Sequence, residues 1–346
     1  MKRRVYKIMN KNHKIISCAG FGGTGSSAIT DLLSEFNGIK GIGTFEFTIL
    51  HDVDGVLDLK HFLVDSFERL NSTEALYRFE RLINNVEGMY KPYLGDVFKQ
   101  ESQKYIDAII DAEWKGFWHQ HLYRGSKLEK RIKYKLPEKI QRIFQNIFIK
   151  KRKYEYTPYY LRNDIKLCYD NDKFINETKM YINTLLNSLD KKNKYEYLAL
   201  DQLVTPYNTE RYIEFFDELK IIVVDRDPRD LYLLNKIYWK EGWIPSHDVE
   251  LYVKWFKGIR KNKVNCNNEN TLNIKFEDLI YDYQNTVNKI IEFLGIDESS
   301  HIDKFKNFNP EKSIKNCRLW ENEFRYSDDI AYIEENIPEY CYELKG

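Results

Sequence analysis

His13–Phe36 reads HKIISCAGFGGTGSSAITDLLSEF. Ile15, Ile16, Cys18 and Ala19 form an apolar run as long as a buried strand. Gly20, Gly22 and Gly23 crowd the turn behind it. Beyond Gly25, the residues Ile29, Leu32, Leu33 and Phe36 fall at i, i+3, i+4, i+7, one face of a helix. Strand, glycine loop and helix in succession make a phosphate cradle. Glycines let backbone N–H groups converge on an anion, and the helix N-terminus adds unpaired donors and the positive end of its dipole. Taken alone, the loop also fits any glycine-rich turn of an open α/β sheet.

The spacing narrows the ligand. Gly20 and Gly25 stand as the two glycines of a G-x4-G phosphate loop, but Ser26 and Ser27 follow. A nucleotide triphosphatase needs a lysine where Ser26 sits, to meet the β- and γ-phosphates. Two hydroxyls at a helix N-terminus suit a singly phosphorylated 5′ end instead.

A second stretch, Lys220–Asp230, reads KIIVVDRDPRD. Ile221–Val224 predict a buried parallel strand, with Arg226 launched from its carboxyl end. Ligands of open α/β sheets bind outside those ends, so Arg226 is placed for an anion. Together the two stretches resemble the sulfotransferase family that uses 3′-phosphoadenosine-5′-phosphosulfate. Gly22–Ser27 (Gly22, Gly23, Thr24, Gly25, Ser26, Ser27) is similar to that family's 5′-phosphosulfate loop, and Arg226-Asp-Pro to its 3′-phosphate strand. Leu272–Ile296, LNIKFEDLIYDYQNTVNKIIEFLGI, resembles the family's strand, Glu-Asp-Leu and helix ending in Phe-Leu-Gly. The matches keep the family's order along most of the chain. Two positions depart from its pattern: Gly23 stands where the loop carries a basic residue, and Leu234 where a serine follows the arginine by eight. Asn235 is the polar substitute next door.

The resemblance implies an α/β, P-loop-like three-layer fold with a central parallel sheet. It implies sulfuryl transfer from 3′-phosphoadenosine-5′-phosphosulfate to an acceptor hydroxyl, on a carbohydrate or polysaccharide, with no metal. Two rivals stay open: a nucleotide-dependent phosphotransferase on the same scaffold, and a non-catalytic nucleotide-binding relative. The chain is expected to be a single domain over 1–346, with a long, polar, helical insertion at about 65–190. Strands are expected at Gly38–Phe47, Tyr195–Leu200 and Thr271–Phe276. Helices are expected at Tyr212–Leu219, Leu231–Gly242 and around Leu251–Ile259, and Asn307–Trp320 reads as a loop.

A transfer of this kind needs a base for the acceptor proton and charge stabilisation on the leaving phosphate. Glu46, in Phe-Glu-Phe, points away from its two rings and is the first choice as base, although an exposed strand glutamate reads the same way. His119 and His121, in KGFWHQHLYR, share a face if extended, as a second base, the start of a zinc site, or packing beside Trp114 and Trp118. His51 is a third candidate. Ser313 and Lys315 lie where the family's C-terminal loop returns over the cofactor. Lys115, Arg124, Lys315 and Arg318 are candidates for the missing loop cation. Arg229 either assists Arg226 or pairs with Asp230. Asp201-Gln202 touches the acceptor, braces Arg226 or caps a helix.

Composition bounds the rest. Of 346 residues, 42% are hydrophobic and 31% charged, with formal net charge +1, the profile of a globular protein. Five scattered cysteines without Cys-x-x-Cys spacing predict reduced thiols and a cytoplasmic setting. The basic start lacks the apolar core of a signal peptide, and no apolar run is long enough to span a membrane. Lys127–Lys153 carries eleven Lys/Arg against Glu129 and Glu138, a local +9. Within it, Ile140, Ile143, Phe144, Ile147 and Phe148 form a stripe behind Pro137. That segment reads as an attractor of an anionic acceptor, as a peripheral contact with an anionic membrane, or as a solvated helix packing its stripe on the core. Nucleic acid is not expected as a partner, for want of a binding motif.

Overall fold

The structure, a computed structural model, describes residues 12–118, 126–148, 163–264 and 266–343. Among the described residues, seven strands run in chain order: β1 (Lys14–Gly20), β2 (Ile39–Glu46), β3 (Ala112–Gly116), β4 (Asn163–Leu167), β5 (Tyr197–Asp201), β6 (Leu219–Asp225) and β7 (Thr271–Lys275). Five of them form one sheet in the order β2-β5-β1-β6-β7, and every pairing in it is parallel. The glycine loop after β1 leads into α1 (Ser26–Leu33).

Helices cover the sheet because its strands are apolar at both parities. Ile16, Cys18, Ile222, Val224 and Ile274 pack one face against Ile29, Leu32 and Leu33 of α1 and Val287, Ile290 and Leu294 of the helix Tyr283–Leu294. Ile15, Ala19, Leu198, Leu200, Ile221 and Val223, of opposite parity, are equally buried. Near-continuous apolar strands of this kind require cover on both faces. The order puts β1 at the switch point: its chain leaves toward β2 on one side, while β6 leads to β7 on the other. The crevice between the carboxyl ends of β1 and β6 is where such a sheet takes its ligand.

The chain forms two compact units. The first comprises Met1–Asp52, Met89–Phe98 and Thr178–Gly346, and holds the parallel sheet; the second comprises Val53–Gly88 and Lys99–Glu177. The expected insertion at 65–190 therefore differs at both ends and returns residues 89–98 to the first unit. In the second unit, Phe79 meets Tyr105 edge-on at 5.8 Å, and Tyr105 reaches Phe174 at 6.4 Å. β3 and β4 pair antiparallel there, with Trp114 opposite Ile165. Neither strand carries a run of apolar residues, so periodicity does not announce the pair. Other expectations shift locally. The helix expected at Tyr212–Leu219 is a single turn, Glu210–Ile213, after which Phe215 and Phe216 are both buried. The segment after Arg226 is an α-helix, Pro228–Leu233, that widens into a π-helix, Leu234–Trp239. The expected loop Asn307–Trp320 contains the short helix Pro310–Ser313. No helix among the described residues is long and apolar enough to cross a membrane.

One buried carboxylate ties the C-terminal segment to α1. Glu35 accepts from the backbone N–H of Phe305 (3.2 Å), Asn307 (2.8 Å) and Phe308 (2.8 Å), and its Oε2 lies 2.9 Å from His301 Nε2. Truncation would leave three backbone donors in the interior without an acceptor. Glu35→Ala should therefore cost about 2–4 kcal/mol, read as a lower urea midpoint at unchanged m.

Candidate functional site

The loop Phe21–Gly25 is shaped by left-handed backbone and by rings laid against it. Gly22 and Gly23 take φ of +87° and +66°. A Cβ at Gly22 would run into the ring of Trp243, and one at Gly23 would lie 2.7 Å from Trp239 and 3.1 Å from Leu231. Both conditions admit only glycine. This explains the departure at Gly23: a basic side chain there would need Trp239 displaced. Gly25 is the N-cap of α1 and offers no side chain, so the first N–H groups of that helix have no side-chain cap. Thr24 faces inward. Its hydroxyl accepts from Phe21 N (3.0 Å) and donates to the Val224 carbonyl (2.7 Å), pinning the loop to the end of β6. Ser26 is buried and takes a hydrogen bond from Gln202 Nε2 (3.2 Å), whereas Ser27 is exposed.

Arg226 follows β6 and is only 3% exposed. One guanidinium nitrogen donates to the Gly23 carbonyl (3.4 Å), another to the Asn316 carbonyl (2.5 Å), and the group lies over the Phe276 ring at 4.4 Å. None of these partners is a carboxylate, and the Nε has no acceptor. The cation thus sits between the glycine loop and the C-terminal segment, with no ion pair to it among the described residues. Behind it, Glu277 accepts from Asp227 N (2.9 Å), and burial pushes its carboxyl up to about 7. Arg229 is paired with Asp227 and Glu334 (2.6 Å each), not with Asp230, which accepts from the N–H groups of Arg318 and Leu319. A second buried cation, Arg260, pairs with Asp225 at the end of β6 and stacks on Phe21 of the loop at 4.6 Å. Sequence reading passed over it because the helix Val249–Lys261 shows no motif around it.

The other edge gathers carboxylates. Glu46 ends β2 in register with Asp201, which ends β5, and Glu46 is exposed while Asp201 is buried. Burial drives the Asp201 carboxyl up to about 6; the Ser26 hydroxyl opposes this and the nearby Glu46 charge adds to it. His51 Nε2 lies 2.9 Å from the Gln202 carbonyl, and burial lowers its pKa. Asp201 makes no bond to Arg226; its neighbours are Ser26 and Gln202.

The remaining expected residues divide. Asn235 donates to the Glu241 and Ile244 carbonyls and to Ser246 Oγ, and accepts from Glu241 N, so its amide is spent on holding the segment that carries Trp239 and Trp243. Ser313 and exposed Lys315 lie on the segment whose Asn316 carbonyl Arg226 grips. Lys115 pairs with Asp164 across β3 and β4, and Arg318 with Glu321. His119, His121 and Arg124 lie outside the described residues. Asp230, Glu277 and Cys317 bring three ligand atoms within 4.8 Å of one another. Asp230 spends both oxygens on backbone N–H groups and the Arg226 charge lies close by, which does not suit a cation.

Because the Asp201 carboxyl titrates higher in the folded chain than in an unfolded one, the native state holds the extra proton. Asp201 then costs stability above about pH 6, and the cost fades as pH falls toward 4. Asp201→Asn should stabilise by roughly 1–3 kcal/mol at pH 8 and by much less at pH 5, compared by denaturant unfolding. An equal gain at both pH values would mean that burial does not perturb this carboxyl.

Residues 19–300 match the model of the sulfotransferase family. No curated protein matches the chain. Solved structures similar to it include the sulfotransferase domain from the Synechococcus PCC 7002 olefin synthase, at 14% identity over 97% of this chain and 98% of that one, with a TM-score of 0.39. The sulfotransferase STF9 from Mycobacterium avium is similar at 12% identity over 97% of this chain and 79% of that one, with a TM-score of 0.36. The family match begins inside β1 and runs past the helix Tyr283–Leu294, so it takes in the phosphate loop, Arg226 and every later strand of the parallel sheet, and the chain belongs to the sulfotransferase family.

Proposed function

We propose that this enzyme transfers a sulfuryl group from 3′-phosphoadenosine-5′-phosphosulfate to a hydroxyl of a carbohydrate. The observation that carries the donor reading is Arg226, a buried guanidinium with an orphaned Nε and no carboxylate partner, beside a loop of uncapped N–H groups. A buried cation with no ion-pair partner among the described residues suits a phosphate that arrives with the ligand. Gly22–Gly25, the first turn of α1 and Ser27 would hold the 5′-phosphosulfate. Arg226 would hold the 3′-phosphate, with Ser313 and Lys315 on the segment it already grips. The donor brings an activated sulfuryl group, so the protein needs no covalent intermediate. Glu46, exposed at the carboxyl end of β2, would take the proton of the acceptor hydroxyl.

The carbohydrate reading is supported by Trp239 and Trp243, which lie against the loop at Gly23 and Gly22 and are 40% and 52% exposed. Indole faces held this way suit a sugar ring, which presents apolar C–H faces between its hydroxyls. The five free cysteines support the cytoplasmic reading.

Calorimetric titration with adenosine 3′,5′-bisphosphate, beside ATP with magnesium, tests the donor class. The bisphosphate should bind and ATP should not; the reverse would overturn the reading. Arg226→Lys should weaken bisphosphate binding about 10–100-fold, since an ammonium cannot reproduce the planar fork. Glu46→Gln should leave that binding nearly unchanged and lower turnover on an accepted sugar by roughly 100-fold or more. Unchanged turnover would remove Glu46 as the base.

A further inference from the structure

The helical segment Lys127–Phe148 in the second unit is built inside out. An amphipathic helix on a globular protein turns its apolar stripe inward and its polar face to water. Here Leu128, Ile132, Leu136, Ile140, Ile143 and Ile147 are each 47–67% exposed. The inward row is mostly polar instead: Lys133, Glu138 and Gln141 are half-buried beside Pro137, with Tyr134 the buried member. The spacing keeps the stripe straight. Residues four apart drift around an α-helix, but the wider π-helical turn at Arg131–Lys135 drifts the opposite way and realigns them. The exposed stripe is thus continuous over ~30 Å.

Its charge identifies the occupant. Seven Lys/Arg between Lys127 and Phe148 stand against Glu129 and Glu138, and Lys127, Arg131, Lys135 and Lys139 are exposed beside the stripe. Glu129 and Glu138 are engaged by Lys133 and Arg142 on the same helix. A second copy of the stripe would bring like charge against like charge. A free acidic polymer would meet the cations and leave six aliphatic side chains in water. An anionic bilayer surface answers both demands, because headgroups neutralise the lysines while the isoleucines enter the acyl boundary. We infer that Lys127–Phe148 is a membrane-surface helix that binds this enzyme peripherally to anionic lipid. The inference stands on the second unit alone and does not depend on the donor or the acceptor.

The test is co-sedimentation of the full chain with phosphatidylcholine vesicles made with and without phosphatidylserine. The protein should pellet with the phosphatidylserine vesicles, less so as salt rises, and stay in solution with phosphatidylcholine alone. Ile143→Asp/Ile147→Asp should weaken that binding by about 100-fold or more. Lys135→Gln/Lys139→Gln should weaken it roughly 25-fold. Both variants should keep the wild-type circular dichroism spectrum and adenosine 3′,5′-bisphosphate affinity. Failure of the wild type to bind phosphatidylserine vesicles at low salt would overturn the inference. So would equal binding by the isoleucine variant, or a wild-type dimer that this variant makes monomeric while neither touches vesicles.

Discussion

A guanidinium buried without a counter-ion is expensive, and the first unit is organised around one. Arg226 holds its charge in the interior on two carbonyls and the face of Phe276, with one nitrogen left without an acceptor. No neighbouring carboxylate among the described residues closes on it as an ion pair. Asp227 is taken by Arg229, Asp230 by two backbone N–H groups, and one oxygen of Glu277 by Asp227 N, its other oxygen having no partner among the described residues. Arg226 follows β6 at the crevice between β1 and β6, where the sheet order favours a ligand. The same acids fix the C-terminal segment, so the cation and the chain that closes over it are positioned together.

The phosphate loop is held by packing on three sides. Thr24 binds it to β6, Arg260 stacks on Phe21, and Trp239 and Trp243 lie against the Cα atoms of Gly23 and Gly22. Asn235 fixes the segment that brings those tryptophans in. Glycine at position 23 is therefore more than a missing lysine. It is the space that an indole ring occupies, and the aromatic surface stands where other members of the family place a cation. The departure in sequence and the ring in space are one feature.

The chain handles amphipathicity in two ways. In the first, apolar strands and helix faces meet and disappear into a core, as the hydrophobic effect demands. In the second, the segment Lys127–Phe148 presents its aliphatic row outward beside its lysines. A chain that hides such rows elsewhere in both units and displays this one has a use for the displayed row.

How much could be read beforehand follows from the range of each interaction. Local chemistry determined β1, the loop, α1, β6 with Arg226, and the run from β7 into the helix Tyr283–Leu294. Strand length, glycine spacing and helical periodicity are properties of neighbouring residues; they sufficed for these elements, and the resemblance their motifs carry gave the fold class. Residues far apart in the chain decided the rest. Nothing in the sequence near Glu35 says that it receives three N–H groups from residues 305–308, or near Gly23 that Trp239 lies on it. The resemblance puts Thr24 in the phosphosulfate loop and Asn235 beside the position of the family's serine, yet their hydroxyl and amide are satisfied within the protein. The stripe at Ile140–Ile147 was plain from its spacing, but spacing gives a helix two faces and does not say which one meets water. Only tertiary packing, which sums contacts across the whole chain, makes that choice.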